Sequence, residues 1–74
     1  MQKQLIYSKD IVTKYNISYS TVTHYTDLGF FTVVGKKGNR RLYDEKEIKV
    51  RAEQIKTMAG EGYPLRLIRK ELIG

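Results

Sequence analysis

An interval of three residues, 16–18, decides how the first third of this chain can fold. Segments with helical periodicity lie on both sides of it. Asn16 can end a helix in a left-handed conformation. Only Ile17 then separates it from Ser18, whose hydroxyl can accept a hydrogen bond from a free amide at the next helix start. The pattern therefore predicts helices over about residues 9–15 and 19–28, joined as a helix-turn-helix.

The ends and the apolar faces of these two helices follow from the same pattern. Ser8 is the expected N-cap of the first helix, and Asp10 in its first turn favours the positive end of the dipole. Gly29 stops the second helix. The apolar residues at helical spacing are Ile11, Val12 and Tyr15 in the first helix, and Val22, Tyr25 and Leu28 in the second.

A basic hairpin is predicted to follow. Residues 30–34, FFTVV, are aromatic and β-branched and indicate a strand, to which residues 40–43 can return antiparallel. The intervening GKKGN contains residues that tolerate positive φ, which are Gly35, Gly38 and Asn39. The four cations of GKKGNRRLY then lie at the tip and on the return strand. Such a density needs either a solvated tip or an anionic partner.

Two more helices complete the prediction. Asp44 and Glu47 have the spacing of a capping box, which begins a helix over about residues 45–60. Gly60 and Gly62 end it. Its apolar residues are Ile48, Ala52, Ile55 and Met58 or Ala59. Pro64 suits the first turn of a fourth helix, whose core residues are Leu65, Ile68 and Leu72. The expected fold is mainly α, a single domain over 1–74 with four helices and a two-stranded hairpin between the second and third.

The positive charge is concentrated in the part that holds the first two helices and the hairpin. The chain has a net charge of +6. Residues 1–43 hold seven Lys or Arg, Lys3 among them, against Asp10 and Asp27, which leaves +5. Residues 44–74 hold seven against six acids, which leaves +1. A basic surface of this kind indicates a polyanionic partner, with general solubility as the alternative.

Other classes of function have little support in the residues. The absence of cysteine excludes disulfides and thiolate metal sites, and one histidine does not make a zinc site, so no cofactor or metal is expected. No nucleophile–base set or phosphate-cradling glycine loop indicates an enzyme. No apolar run matches a signal peptide or a membrane span, which gives the cytoplasm as the expected location.

Three separated motifs resemble the N-terminal DNA-binding domain of the MerR family of transcription regulators. They are ISYSTVTHYTDLGF, GNRRLYDEKEI and QIKTMAGEGYPLRLIRKEL, and together they cover about residues 6–73. The positions that match the family pattern are Thr21, Val22, Tyr25, Leu28 to Phe31, Arg41, Tyr43, Gly62, Tyr63 and Leu65 to Leu72. Thr23 stands where the family has a basic residue, His24 where it has an aromatic, and Thr26 where it has an acid.

The resemblance implies a winged helix-turn-helix that binds double-stranded DNA. The second helix would enter the major groove, and the hairpin would contact phosphate or an adjacent minor groove. The expected DNA-binding residues are Tyr19, Ser20, Thr21, Thr23, His24, Lys36, Lys37, Arg40, Arg41 and Tyr43.

Several of these residues have a second interpretation. Ser20 and Thr21 can serve in helix capping instead, and Tyr43 can pack at the base of the hairpin. Adjacent strand residues point to opposite faces, so Arg41, at the matched position, is favoured over Arg40 as the primary phosphate contact. Cations on the first and fourth helices are expected to be solvated, namely Lys9, Lys14, Arg66 and Arg69.

Three functions remain open at this point. The first is the DNA-binding module of a MerR-type transcription regulator, which is bacterial, cytoplasmic and associated with the nucleoid. The second is a stand-alone small DNA binder, such as an excisionase-like recombination factor or a cooperative binder of direct repeats. The third is a winged helix that binds an acidic protein. The chain is expected to be a monomer in isolation, and a dimer only if a longer chain supplies a C-terminal coiled-coil helix.

Overall fold

Four helices and three strands make up residues 4–74, the part of the chain that the computed structural model describes. In chain order they are β1 (Leu5–Tyr7), α1 (Ser8–Tyr15), α2 (Tyr19–Asp27), β2 (Val33–Lys37), β3 (Arg40–Asp44), α3 (Glu45–Gly60) and α4 (Leu65–Leu72). The expected mainly helical winged helix-turn-helix is confirmed. Lys3, counted in the basic part of the sequence, lies outside the described residues.

The turn between α1 and α2 is built as its residues predict. Asn16 has φ 55° and ψ 47°, the left-handed conformation that ends α1. Ser18 caps α2, because its Oγ accepts a hydrogen bond from the Thr21 amide at 3.1 Å. The N-cap expected at Ser8 is wrong. Tyr7 is paired in the sheet and has extended angles, so it takes the cap position and Ser8 is already helical.

The strand expected at residues 30–34 begins three residues later, at Val33. Gly29 has φ 91°, and the Phe30 and Gly29 amides donate to the carbonyls of Tyr25 (2.9 Å) and Thr26 (3.1 Å). This hydrogen-bond pattern is the Schellman motif that closes a helix. It directs both Phe30 and Phe31 into the core instead of into a strand, where their side chains would point to opposite faces.

The sheet has three antiparallel strands in the order β1-β3-β2, one more than expected. β1 pairs with β3 through Leu5↔Asp44, Ile6↔Tyr43 and Tyr7↔Leu42. We call β2 and β3 with their connection, residues 33–44, the wing. Its turn is tighter than expected, since β2 extends to Lys37 and only Gly38, at φ 63°, takes positive φ there. Gly35 lies within β2, next to an irregularity in the register.

The helix α3 begins as predicted, but its first turn does not form the expected capping box. The Asp44 side chain accepts from the Lys46 amide at 3.1 Å. The Glu47 carboxylate instead accepts two hydrogen bonds from Thr32, from the amide at 2.7 Å and from Oγ1 at 3.2 Å. A tertiary partner on the segment before β2 therefore replaces the local one, and α3 is tied to the base of the wing.

The core joins all four helices to the sheet. Its buried residues are Ile6, Ile11, Val22, Phe30, Phe31, Tyr43, Ile48, Ile55 and Ile68. The predicted core residues of α4 are confirmed, with Ile68 buried and Leu65 and Leu72 packed against the cluster. Every helix within residues 4–74 is too short or too polar to cross a membrane.

Candidate nucleic-acid interface

The outer face of α2 leaves short hydroxyls and amphipathic rings in solvent. Tyr19, in the first turn, is 64% exposed, and Ser20 and His24 are exposed as well. Thr23 is half-buried on the same helix. Hydroxyl and imidazole groups can reach phosphates or base edges, and a threonine methyl can pack on a thymine methyl.

Thr21 is part of the helix cap. Its amide donates to the Ser18 hydroxyl, and that hydroxyl lies 2.7 Å from Thr21 Oγ1 and 3.2 Å from Ser20 Oγ. A side chain engaged in this way supports the capping alternative. We therefore leave Thr21 out of the interface proposed below.

The wing holds its four cations in two opposed pairs. Lys36 faces Arg41 across the two strands, and Lys37 faces Arg40. All four side chains are exposed. Like charges directly opposite each other on paired strands destabilise a hairpin. The arrangement therefore costs stability when the protein is free and favours a bound anion.

The two arginines lie on different faces of β3. The guanidinium of Arg40 lies 5.6 Å from the centre of the Tyr7 ring, in cation–π contact with β1. Arg41 is one residue along and points to the other face, which is the face of buried Tyr43. Arg40 is thus ordered against β1, and Arg41 lies across from Lys36 on the side of the core.

Residues of α2 and of the wing line one open groove. It has a volume of about 770 Å³, and we call it the wing groove. Its lining residues are Tyr7, Ser8, Lys9, Asp10, Tyr19, Thr23, Lys36, Asn39, Arg40 and Arg41. Five of the predicted DNA-binding residues meet there: Tyr19, Thr23, Lys36, Arg40 and Arg41.

Two features of the wing groove were not expected from the sequence. The start of α1 contributes to it, including Lys9, which was expected only to be solvated. Tyr7 contributes both the groove wall and the ring under Arg40. A β-strand predicted at residues 5–7 would have indicated that Tyr7 lies in the wall of the groove. A strand of three residues is too short to show a recognisable alternation in the sequence. Ser20, His24 and Lys37 are exposed outside the lining of the groove.

Tyr43 is the predicted site residue whose position leaves no room for a contact with phosphate. Its side chain is 1% exposed, and its hydroxyl lies 2.9 Å from Thr26 Oγ1. Phe31 packs against its ring edge-to-face, with centroids 6.4 Å apart. The packing alternative describes this residue, and the prediction of Tyr43 as a DNA contact is corrected.

Two cations expected to be solvated have partners in the protein. Lys14 on α1 pairs with Glu45 on α3, and this hydrogen bond raises the pKa of Lys14 above its usual value. Arg69 on α4 donates from Nε to the Leu28 carbonyl at 2.8 Å and so holds the end of α2. Within residues 4–74, no group of three or more His, Asp or Glu is placed to hold a metal ion.

Two helices joined by a tight turn, with a basic wing beside the second helix, define the winged helix-turn-helix class. A family model described as MerR HTH family regulatory protein matches residues 7–73 of this chain. The chain therefore belongs to the MerR helix-turn-helix family, a family of DNA-binding regulators. A comparison with curated proteins gave no match, and a comparison with solved structures gave none.

Proposed function

We propose that this chain binds double-stranded DNA in a sequence-specific way, as the DNA-binding module of a MerR-type transcription regulator. The observation that carries the proposal is the wing groove, in which the exposed face of α2 and the cations of the wing line one surface. Family membership supports the same partner.

The wing supplies affinity in this proposal. Each Lys or Arg that neutralises a phosphate releases condensed counterions from the duplex. Arg41 is the primary contact, because its forked guanidinium can grip a phosphate and Lys36 stands opposite it. Arg40, which also lines the wing groove, contacts the DNA backbone there, and Lys37 contacts it from outside the groove. The bound phosphates also relieve the repulsion between the opposed cations.

Sequence discrimination comes from α2. Tyr19, Ser20, Thr23 and His24 face the major groove, and Thr23 reads base edges by its hydroxyl and its methyl group. Thr23 lines the wing groove together with Arg41, so one duplex can meet both. The interface that we propose consists of these four residues with Lys36, Lys37, Arg40 and Arg41.

In this proposal the 74-residue chain is a single domain that is a monomer in isolation, and it dimerises only if a longer chain supplies a C-terminal coiled-coil helix. Its proposed location is the cytoplasm of a bacterium, on the nucleoid. The buried apolar residues of α3, Ile48 and Ile55, are used in the core, and among residues 4–74 Val50 is the one large apolar side chain of that helix that is exposed. Sedimentation equilibrium of the 74-residue chain tests this point. A concentration-dependent dimer would contradict it.

The test of DNA binding begins with selection of preferred sequences from a pool of random duplexes. Affinity for a selected and a scrambled duplex is then measured by fluorescence anisotropy over a salt series. Arg41→Ala should weaken binding to both duplexes and reduce the slope of log K against log salt by about 0.9, one phosphate contact. Thr23→Ala should leave the slope unchanged. It should reduce the difference in binding free energy between the selected and the scrambled duplex, by about 1–3 kcal/mol for one base pair that is read.

Lys49→Ala is the matched control, because it removes one exposed cation from α3 outside the wing groove. It should leave the slope near that of the parent. An equal loss of slope in Lys49→Ala and Arg41→Ala would mean that net charge alone is responsible, and the proposed interface would be rejected.

A further inference from the structure

A pair of hydroxyl groups connects α2 to the middle strand of the sheet. Thr26 Oγ1 donates to the Val22 carbonyl one turn earlier at 2.7 Å, and it lies 2.9 Å from the Tyr43 hydroxyl. A threonine hydroxyl has one proton. Because that proton goes to Val22, Tyr43 must be the donor to Thr26. The two bonds form a short chain from β3 through Thr26 into the backbone of α2.

Both members of the pair lie next to residues of the proposed interface. Thr26 is three residues after Thr23 in α2, so the two are neighbours on the helix surface. Tyr43 is two residues after Arg41 in β3, so both side chains point to the same face of the strand. The hydrogen bond therefore connects α2 next to Thr23, which we propose reads bases, with β3 next to Arg41, which we propose binds phosphate.

The surroundings of the pair hold it in one arrangement. Tyr43 is fully enclosed, and its backbone pairs with Ile6 on one side and Val33 on the other. Among residues 4–74, the bond from Tyr43 to Thr26 is the one side-chain hydrogen bond between α2 and the sheet. No buried side-chain nitrogen or oxygen in that range lacks a partner. Loss of the Thr26 hydroxyl would leave the buried Tyr43 hydroxyl without its partner, which is costly, whereas loss of the Tyr43 hydroxyl leaves Thr26 still bonded to the Val22 carbonyl.

We propose that Thr26 and Tyr43 are positioning residues that fix the wing relative to α2, so that Thr23 and Arg41 reach one duplex together. This inference rests on the proposed function. Neither side chain touches DNA. The pair acts through geometry, by setting the separation between the helix that reads bases and the strand that carries Arg41.

Three variants test the pair. Thr26→Val keeps the shape of the side chain and removes the hydroxyl, Thr26→Ser keeps the hydroxyl as the matched control, and Tyr43→Phe removes the donor. Thr26→Val and Tyr43→Phe should each weaken duplex binding roughly fivefold, the equivalent of one net hydrogen bond. The double variant should lose little more than either single one. Thr26→Ser should bind like the parent.

A second experiment distinguishes a positioning role from a purely structural one. Duplex binding is measured for the parent, for Thr26→Val, for Arg41→Ala and for the combination of the two, at a temperature where circular dichroism shows all variants folded. If the pair positions the wing, Arg41→Ala should reduce duplex affinity by a smaller factor in the Thr26→Val protein than in the parent, because Arg41 is already displaced in the Thr26→Val protein. An equal reduction of affinity in both proteins would overturn the proposal, since the effects of independent substitutions on the binding free energy add.

Amide hydrogen exchange of the free protein gives an answer that does not depend on DNA. Thr26→Val should raise exchange of the hydrogen-bonded amides of β2 and β3 by roughly fivefold relative to those of α4. An equal rise in α4, or no rise in the wing, would refute the positioning role. If the parent binds no duplex, the proposed function fails, and the exchange rates still decide whether the pair holds the wing.

Discussion

The carboxylate of Glu47 offers a sharp test of how the wing is held to the body of the protein. Glu47 is in the first turn of α3, and both of its oxygens accept hydrogen bonds from Thr32, just before β2. The change to make is Glu47→Ala. It removes both bonds and one acid from the positive end of the helix dipole.

The magnitude follows from the exposure of the two partners. A hydrogen bond to a charged group contributes about 1.5–3 kcal/mol net. Glu47 is half-buried and Thr32 is exposed, so the lower end applies to the pair of bonds. The dipole adds about 0.3–1 kcal/mol. We therefore expect Glu47→Ala to lower the free energy of unfolding by about 2 kcal/mol, which is a fall in Tm of roughly 8–16 °C for a domain of this size.

Thermal and urea unfolding followed by circular dichroism measure this loss. Glu53→Ala is the control, because Glu53 is exposed on the same helix and its side chain forms no hydrogen bond among the described residues. It should change stability by less than about 0.5 kcal/mol. Glu47→Gln keeps one acceptor for the Thr32 amide, so its stability should lie between that of Glu47→Ala and that of Glu53→Ala. If Glu47→Ala and Glu53→Ala are equally stable, the tie to Thr32 contributes nothing and the reasoning is wrong.

Three further predictions concern the ordering of Arg40, the turn of the helix-turn-helix and the pH dependence of stability. Tyr7→Leu should weaken duplex binding by about two- to fivefold, because it removes the ring under Arg40, whereas Tyr7→Phe should bind like the parent in the same anisotropy assay. Equal effects of the two variants would exclude the cation–π contact. Asn16→Ala should lower the free energy of unfolding in urea by about 1–2 kcal/mol, since φ is 55° there, and Asn16→Gly should cost far less. Burial raises the pKa of Tyr15 above 10.0, and the hydrogen bond with Glu45 raises that of Lys14 above 10.5. Stability from both groups is therefore fully present below about pH 10 and is lost as the pH rises through the raised pKa values. Tyr15→Phe should reduce this alkaline loss in urea unfolding at pH 9 to 11, and an unchanged pH profile would contradict the assignment.

Local chemistry made much of the fold predictable from the sequence. The left-handed Asn16 and the Ser18 cap act within a few residues, so the helix-turn-helix follows from its own turn. The bounds of α3 follow in the same way from its periodicity and from the glycines after it. The family motifs are spread along the chain in the same order as these elements, and the family model matches nearly all of it.

Tertiary partners decided the features that the sequence did not reveal. β1 is a strand of three residues whose partner, β3, lies more than thirty residues away in the chain. Glu47 has the spacing of a local cap but bonds to Thr32. Phe30 and Phe31 have strong strand propensity, and the helix-closing bonds to Tyr25 override it.

The candidate site was predictable in composition and less so in geometry. A dense cluster of cations and a helix face without Lys, Arg or Glu are visible in the residues alone. The burial of Tyr43 is not visible there, because its position in the strand alternation depends on which face of the wing meets the core. The contribution of Tyr7 depends on the unexpected strand β1.

The most direct test of the account is a titration of the ¹⁵N-labelled chain with a selected duplex, followed by amide chemical shifts. We expect the largest amide shifts on Tyr19 to His24 and on Lys36 to Arg41, and no shift on Gln54 to Met58 of α3. Shifts centred on α3, or shifts in α2 without any in the wing, would contradict the claim that α2 and the wing bind one duplex together.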